Sequence, residues 1–164
     1  MQTEVENKYL VFRKSKIHNL GAYAAKPIRK GTRIIEYIGR PLTKKKAQTE
    51  LEDRNGYVFT INKFFDIDGS VRWNPARYIN HGCDPNAESD VIEDRVWILA
   101  TRSIRKGEEV LYNYNYDLVD AFDNPCRCGA ENCVGYIVDD DYWPKLRKLI
   151  EKRGQRVRKK KRKR

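Results

Sequence analysis

Four cysteines constrain this chain more than any other feature. Cys126, Cys128 and Cys133 fall within one short stretch, with Gly129 to turn it, and Cys83 lies some forty residues earlier. Tetrahedral zinc favours four soft ligands at ~2.3 Å, and structural sites are closed by four protein ligands. Three thiols on one loop therefore call for a fourth, and Cys83 is the one other thiol in the sequence. A shared ion would staple the C-terminal loop to the segment around Cys83. It would then be structural, with no open position for catalysis, and its removal would loosen that region. The plainer alternative is three incidental thiols and one core cysteine.

The Cys83 segment is itself unusual. Arg77-Tyr-Ile-Asn-His-Gly-Cys-Asp-Pro-Asn86 sets Asn80 beside His81 and follows them with a rigid Asp-Pro-Asn turn. Buried Asn and His each need hydrogen-bond partners, so they are poor filler for a core. Downstream, Gly107-Glu-Glu-Val-Leu-Tyr-Asn-Tyr-Asn-Tyr116 reads as a strand with Tyr112, Tyr114 and Tyr116 on one face. An aromatic core stripe explains that spacing; so does a pocket of phenol hydroxyls that orients an amine and excludes water. Tyr57 is a further phenol, at the start of a strand.

Charge separates body from tail. The formal net charge is +11, but Lys152 to Arg164 hold ten basic residues and no acid, leaving 24 basic against 23 acidic side chains before them. The body is therefore no basic nucleic-acid platform. The tail, from 154 on, is expected to be disordered. No apolar run approaches the ~18–20 residues that span a bilayer, and the N-terminus lacks a secretory pattern. These features predict a soluble, intracellular protein with no membrane partner, in which thiols serve as metal ligands or stay free.

Most segments read as short strands between turns. Residues 8–13, Arg33–Ile38, Tyr57–Ile61 with Phe64–Ile67, Val91–Ile92 with Arg95–Thr101 around Glu93-Asp94, and Glu109–Tyr114 are strands. Thr43 caps a helix that runs to Arg54, with Ala47 and Leu51 as an i, i+4 apolar pair. A short C-terminal helix begins near Tyr142, with Pro144 in its first turn. The class is mainly β with few short helices.

Five segments, in order, resemble the SET-domain family of protein-lysine methyltransferases with a post-SET zinc segment. They are Ser15–Ala24, Glu36–Gly39, Asn74–Asn86, Gly107–Tyr114 and Cys126–Ile137. The compact body, with no flanking pre-SET cysteine cluster, is similar to small stand-alone SET proteins of bacteria and viruses. The resemblance implies a β-clip of short curved sheets closed by a C-terminal pseudoknot, which brings Asn80-His81 beside Tyr114. It divides the chain into a SET domain (8–121), a post-SET zinc-binding segment (122–138), a short C-terminal helix (139–153) and the basic tail (154–164).

The resemblance further implies methyl transfer from S-adenosylmethionine to a protein lysine, with one structural zinc ion on Cys83, Cys126, Cys128 and Cys133. Tyr114 is then the catalytic tyrosine, Tyr57 lines the lysine channel, and Tyr112 limits the number of methyl groups, predicting mainly monomethylation. The cofactor falls to His18, Asn19, Gly21, Ala22, Tyr23, Asn80, His81 and Tyr114, with Arg77 bracing the region and Tyr136 and Trp143 as candidate covers. Asn19 replaces the first glycine of the usual Gly-x-Gly, a position where asparagine tolerates left-handed backbone.

The basic tail suits a histone or other basic chromosomal substrate, with non-specific DNA contact through 152–164; a solubilising terminus and a nuclear-import signal are alternatives for it. A ribosomal or other non-chromosomal substrate also fits. The chain is expected to be a monomer, placed in the nucleus or on the chromosome in a eukaryote and in the cytoplasm otherwise. An inactive zinc-stapled module that binds peptide or nucleic acid is the competing reading; retention of Tyr114, Asn80 and His81 favours activity.

Overall fold

A computed structural model describes residues 7–161, with side chains to residue 155. Its strands are short and its sheets small: β1 (Leu10–Lys14), β2 (Leu20–Ala24), β3 (Arg33–Tyr37), β4 (Arg40–Thr43), β5 (Val58–Thr60), β6 (Phe65–Asp68), β7 (Asn80–His81), β8 (Ala87–Ile92), β9 (Arg95–Ala100) and β10 (Leu111–Tyr112). They pair as β1-β2, β10-β7, β3-β9-β8 and β4-β6-β5. Two α-helices, α1 (Lys44–Glu52) and α2 (Trp143–Lys161), complete the regular structure with three short 3-10 turns. The mainly β class expected from the sequence is the one observed.

Two compact units result, one built from the chain up to Asn80 and from Pro85–Tyr112, the other from His81–Asp84 and the chain from Asn113 onward. In the first unit, the apolar faces of β3 and β9 supply much of the core: Ile34, Ile35, Tyr37, Val96, Ile98 and Ala100 are buried. The β8-β9 hairpin turns at Glu93 and Asp94, both left-handed at φ 53° and 56°, the backbone that a two-residue I′ turn demands. Thr43 caps α1, its hydroxyl accepting from Lys46 N–H at 3.4 Å. Ala47 is buried, but Leu51 is half exposed, so the expected apolar stripe is a single contact.

Three buried or half-buried polar groups hold this unit's loops. Asp68 on β6 accepts from Arg40 (2.9 Å), Asn55 (3.1 Å) and Ser70 N–H (2.9 Å). Asn74 joins Ile38 N–H (3.4 Å) to Gly69 O (2.9 Å). Tyr37 donates to Tyr57 O at 3.2 Å. Gly39 and Gly69 are glycines because backbone and ring crowd them: an added Cβ would sit 2.6 Å from Asp68 O at Gly39 and 2.1 Å from the edge of the Tyr37 ring at Gly69.

In the second unit, Ala121, Val134, Val138 and Leu146 form the buried cluster, with Phe122, Tyr136 and Trp143 packed against it. Two expectations are corrected here. α2 runs to Lys161, past the expected end at 153 and into the stretch read as a disordered tail. Lys, Arg and Gln are good helix formers, and one Gly with no Pro does not stop the turn pattern; residues 162–164 lie outside the described residues. β10 covers only Leu111–Tyr112, and the chain beyond it turns left-handed at Asn115, φ 53°. Tyr112, Tyr114 and Tyr116 therefore do not share a strand face. Tyr112 lies in the first unit against Phe59 (6.5 Å), while Tyr114 and Tyr116 pack together in the second (5.7 Å).

Candidate functional site

In the first unit, the β1-β2 hairpin, whose register pairs Leu10 with Ala24 and Lys14 with Leu20, presents the turn His18-Asn19-Leu20 to solvent. Asn19 stands at φ 38°, as the glycine-to-asparagine departure requires, and its amide donates to His18 Nε2 at 3.2 Å. The inner side of the turn is held by Asn80. Its amide nitrogen lies 3.3 Å from His18 O, 3.1 Å from Leu20 O and 3.0 Å from Glu109 Oε1. The edge of β2 is fixed by Val110 N–H on Ala22 O (2.8 Å) and Ala24 N–H on Glu108 O (2.9 Å).

Glu109 gathers the region. Its Oε1 also accepts from Ser15 Oγ (2.8 Å), and Oε2 from the Tyr23 hydroxyl (3.0 Å). Gly21 is buried beside it, and a Cβ there would overlap the carboxylate and lie 2.9 Å from Ser15 Cβ. Next in sequence, Glu108 is held below the usual carboxylate range: burial raises it, but hydrogen bonds from Arg102, the Arg105 N–H and Asn86 outweigh that. Arg77 donates to Ser70 O, and its guanidinium lies 5.0 Å from the Tyr57 ring centre and 5.5 Å from that of Tyr78. It braces Tyr57 from beneath, a cation–π geometry.

The second unit holds the other half of the motif. The Sγ atoms of Cys83, Cys126, Cys128 and Cys133 all lie within 4.8 Å of one another. Cys83 and Cys126 sulfurs are 3.8 Å apart, which is the edge of a tetrahedron of roughly 2.3 Å metal–sulfur bonds. Backbone N–H groups of Cys83 and Gly135 point at the Cys128 and Cys133 sulfurs (3.5 and 3.4 Å), and Asn132 holds Cys83 O at 3.0 Å. Gly129 and Gly135 turn the loop at φ 73° and 84°.

Burial, then the neighbouring Cys126 and Cys128, push the Cys83 thiol far up, and burial pushes Cys126 up to about 12. Cys128 runs the other way: burial raises it, but hydrogen bonds from the Ala130 and Cys83 N–H groups and from the neighbouring thiols outweigh that and lower it. The donor set, distances and surrounding N–H groups fit a four-cysteine metal centre.

His81 stands next to this centre. It is 3% exposed, and burial lowers its ring to about 4, so it is neutral near pH 7. Its Nδ1 accepts the Tyr114 N–H at 3.3 Å, its Nε2 lies 3.5 Å from Cys83 Sγ, and its ring meets that of Tyr114 edge-on at 5.4 Å. The pairing of the Asn-His segment with Tyr114 expected from the sequence is present here, through His81.

A model of the SET domain matches residues 19–115. Over 143 residues, 81% of this chain, the sequence is 41% identical to histone-lysine N-methyltransferase 2D of Homo sapiens. It is 40% identical over 137 residues (77% of the chain) to histone-lysine N-methyltransferase trr of Drosophila melanogaster. Against the histone-lysine N-methyltransferase, H3 lysine-4 specific, of Saccharomyces cerevisiae it is 34% identical over 148 residues, or 83% of the chain.

The chain belongs to the SET-domain family. It spans about 3%, 6% and 14% of the length of these three relatives.

Among the SET-domain residues singled out from sequence, those of the hairpin gather with Asn80 in the first unit, which also contains Tyr57, Arg77 and Tyr112. His81, Tyr114 and the four cysteines gather in the second. Tyr136 and Trp143, candidate covers for a cofactor, pack against the second unit's apolar cluster and are partly buried there. The sequence reading missed Glu109, Asn74 and Asn86. Asn86 donates to Glu108 Oε1 (3.0 Å) and Glu109 O (2.8 Å) and accepts from Leu111 N–H (2.9 Å). The signal for Glu109 was the glutamate pair beside an otherwise apolar strand, which called for buried donors.

Proposed function

We propose that this chain transfers a methyl group from S-adenosylmethionine to a lysine side chain of a histone or another basic chromosomal protein, with histone H3 lysine 4 the first candidate. Family membership and the H3 lysine-4 specificity of the Saccharomyces cerevisiae relative support this reading. The observation that carries it is Tyr114 seated against buried His81, with its N–H on the imidazole at 3.3 Å. When bound, S-adenosylmethionine supplies an electrophilic methyl on a cationic sulfur. An inactive binding module is not favoured, because Asn80, His81 and Tyr114 are all retained and each is built into a defined contact.

The chain's own residues divide the work. The exposed turn His18–Leu20 offers its backbone to the cofactor with Gly21, Ala22 and Tyr23 behind it, and Asn80 fixes that turn by holding two of its carbonyls. His81 already has partners on both ring nitrogens, so its cofactor contacts come from backbone and ring face. Tyr114 directs its phenol at the lysine amine and the moving methyl, a contribution of alignment and electrostatics. Lysine at its ordinary pKa of ~10.4 carries no lone pair to attack with. Aromatic walls from Tyr57 and Tyr112 disfavour the ammonium by desolvation.

The four cysteines hold one structural zinc ion. The basic helix α2 adds a non-specific contact to DNA phosphate, weakened steeply by salt, and in a eukaryote the chain works in the nucleus.

The deciding experiment incubates the zinc-loaded chain with labelled S-adenosylmethionine and core histones, free and as nucleosomes, beside Tyr114→Phe. Label on a histone lysine from the wild type alone supports the reading. No label on any histone, or equal label from the variant, overturns it.

A further inference from the structure

The second unit contains one histidine with both ring nitrogens engaged, and the two partners are of different kinds. On one side is the backbone N–H of Tyr114, 3.3 Å from Nδ1. On the other is the sulfur of Cys83, 3.5 Å from Nε2. A backbone N–H can only donate, so Nδ1 must be the unprotonated nitrogen. The ring proton then sits on Nε2, the nitrogen that faces the sulfur. A sulfur bound to a metal accepts such a proton well, and partners of this kind orient the ligands of metal sites.

We propose that His81 is a positioning residue through which the four-cysteine centre fixes the backbone of Tyr114, its Nε2–H donating to the Cys83 sulfur while its Nδ1 accepts from the Tyr114 N–H. This rests on the reading that the cysteines hold a metal and that Tyr114 works on the substrate.

The consequence is directional. A metal that locks Cys83 locks the imidazole plane, and the imidazole plane sets where residue 114 leaves the chain. The edge-on ring contact at 5.4 Å carries the same constraint to the phenol. Asn132 on Cys83 O and the Cys83 N–H on the Cys128 sulfur keep Cys83 itself from shifting. The structural metal thereby acts on the tyrosine without touching it.

The test uses the full chain loaded with zinc or cobalt. The sequence has two histidines, so His18→Gln assigns the His81 ring signals. Long-range proton–nitrogen correlation in the zinc-loaded protein is expected to show His81 protonated on Nε2 alone. A ring protonated on Nδ1, or on both nitrogens, overturns the proposal without any variant at the site. In cobalt-loaded His81→Ala, the sulfur-to-cobalt charge-transfer band should move to lower energy, since the sulfur loses a hydrogen bond. In the same variant the Tyr114 amide should exchange about tenfold faster, as when one hydrogen bond stops protecting an amide, while the Cys133 amide keeps its rate.

An unmoved band with unchanged Tyr114 exchange overturns the proposal. Should His81→Ala not take up cobalt, the wild-type ring protonation decides alone. Activity is a readout in no arm, so a chain that transfers no methyl leaves this test intact, and a failed proton assignment leaves the methyltransferase reading standing.

Discussion

The Asn80 amide and the Glu109 carboxylate meet at 3.0 Å, and through that contact the segment of Asn80, which holds the His18–Leu20 turn, is tied to the segment that leads into β10. Every group on Glu109 is a donor: Asn80, the Ser15 hydroxyl and the Tyr23 hydroxyl. A carboxylate accepts from all three, and charge-assisted bonds of this sort are the stronger kind. Glutamine has the same shape but must turn an N–H₂ toward a donor. Glu109→Gln is therefore expected to weaken S-adenosylmethionine binding by about tenfold and to cost about 1–2 kcal/mol of stability. Gly21→Ala, which drives a methyl into the same carboxylate, should reproduce the binding loss. Calorimetric titration checks both, and unaltered affinity in Glu109→Gln would refute the role.

Tyr112 is 5% exposed and packs near Phe59. On the proposed function, a hydroxyl at this position would take the room a methylated amine needs, and the wild type should release mainly monomethyl-lysine. Removing one oxygen from a buried wall enlarges the space with little strain. Tyr112→Phe should shift the products toward di- and trimethyl-lysine. Mass spectrometry of the product peptides reads this directly, and identical distributions from the two proteins count against it.

Gly69 faces the ring of buried Tyr37, whose hydroxyl is itself tied to Tyr57 O at 3.2 Å. The ring cannot yield without breaking that bond and disturbing Phe59, 4.5 Å away. Gly69→Ala should lower stability by about 3 kcal/mol, at the upper end of overpacking effects. The partner change Tyr37→Phe, which keeps the ring, should cost only about 1 kcal/mol. Chemical denaturation of both variants separates the clash from the hydrogen bond; a neutral Gly69→Ala would refute the crowding.

Removing the metal should loosen the second unit and spare the core of the first. Cys83 is tied to the Cys126–Cys133 loop by Asn132 on Cys83 O and by its own N–H on the Cys128 sulfur, whereas the β3-β9-β8 sheet is held by its own ladder. Under a chelator, proteolysis is expected to cut within 113–138 while fragments of β3, β8 and β9 persist. Equal loss of both regions would mean that the metal supports the whole chain.

The cysteine centre, the β-rich class and the place of Asn19 were legible because each rests on local chemistry: ligand spacing, strand period, a tolerated left-handed residue. The tyrosine stripe was misread because period two holds only while the strand lasts. The strand ends at Tyr112, and Tyr114 falls in the second unit. The length of α2 was underread because its charge suggested disorder while its propensity favoured helix. Glu109 could not be ranked above Glu108 from sequence, since what distinguishes them is which donors arrive from Ser15, Tyr23 and Asn80, all distant in the chain.

Acid should attack the first unit through Asp68. Its carboxyl is almost wholly buried, and burial alone would raise its pKa. Hydrogen bonds from the Ser70 backbone and hydroxyl, then Asn55 and Arg40, outweigh burial and hold it below the ordinary value. With the folded pKa depressed, the unfolded chain binds the proton more readily. The contribution of Asp68 is therefore complete above the unfolded carboxylate value of ~3.9 and fades as pH falls through the lower folded value. Asp68→Asn keeps a donor and an acceptor but loses the charge that Arg40 meets at 2.9 Å. The variant should be less stable than the wild type at pH 7, and the gap between them should narrow as pH falls below about 4. Thermal melts of the two proteins from pH 7 to pH 3 test this, and a gap that stays constant across the range would assign the loss at pH 7 to packing.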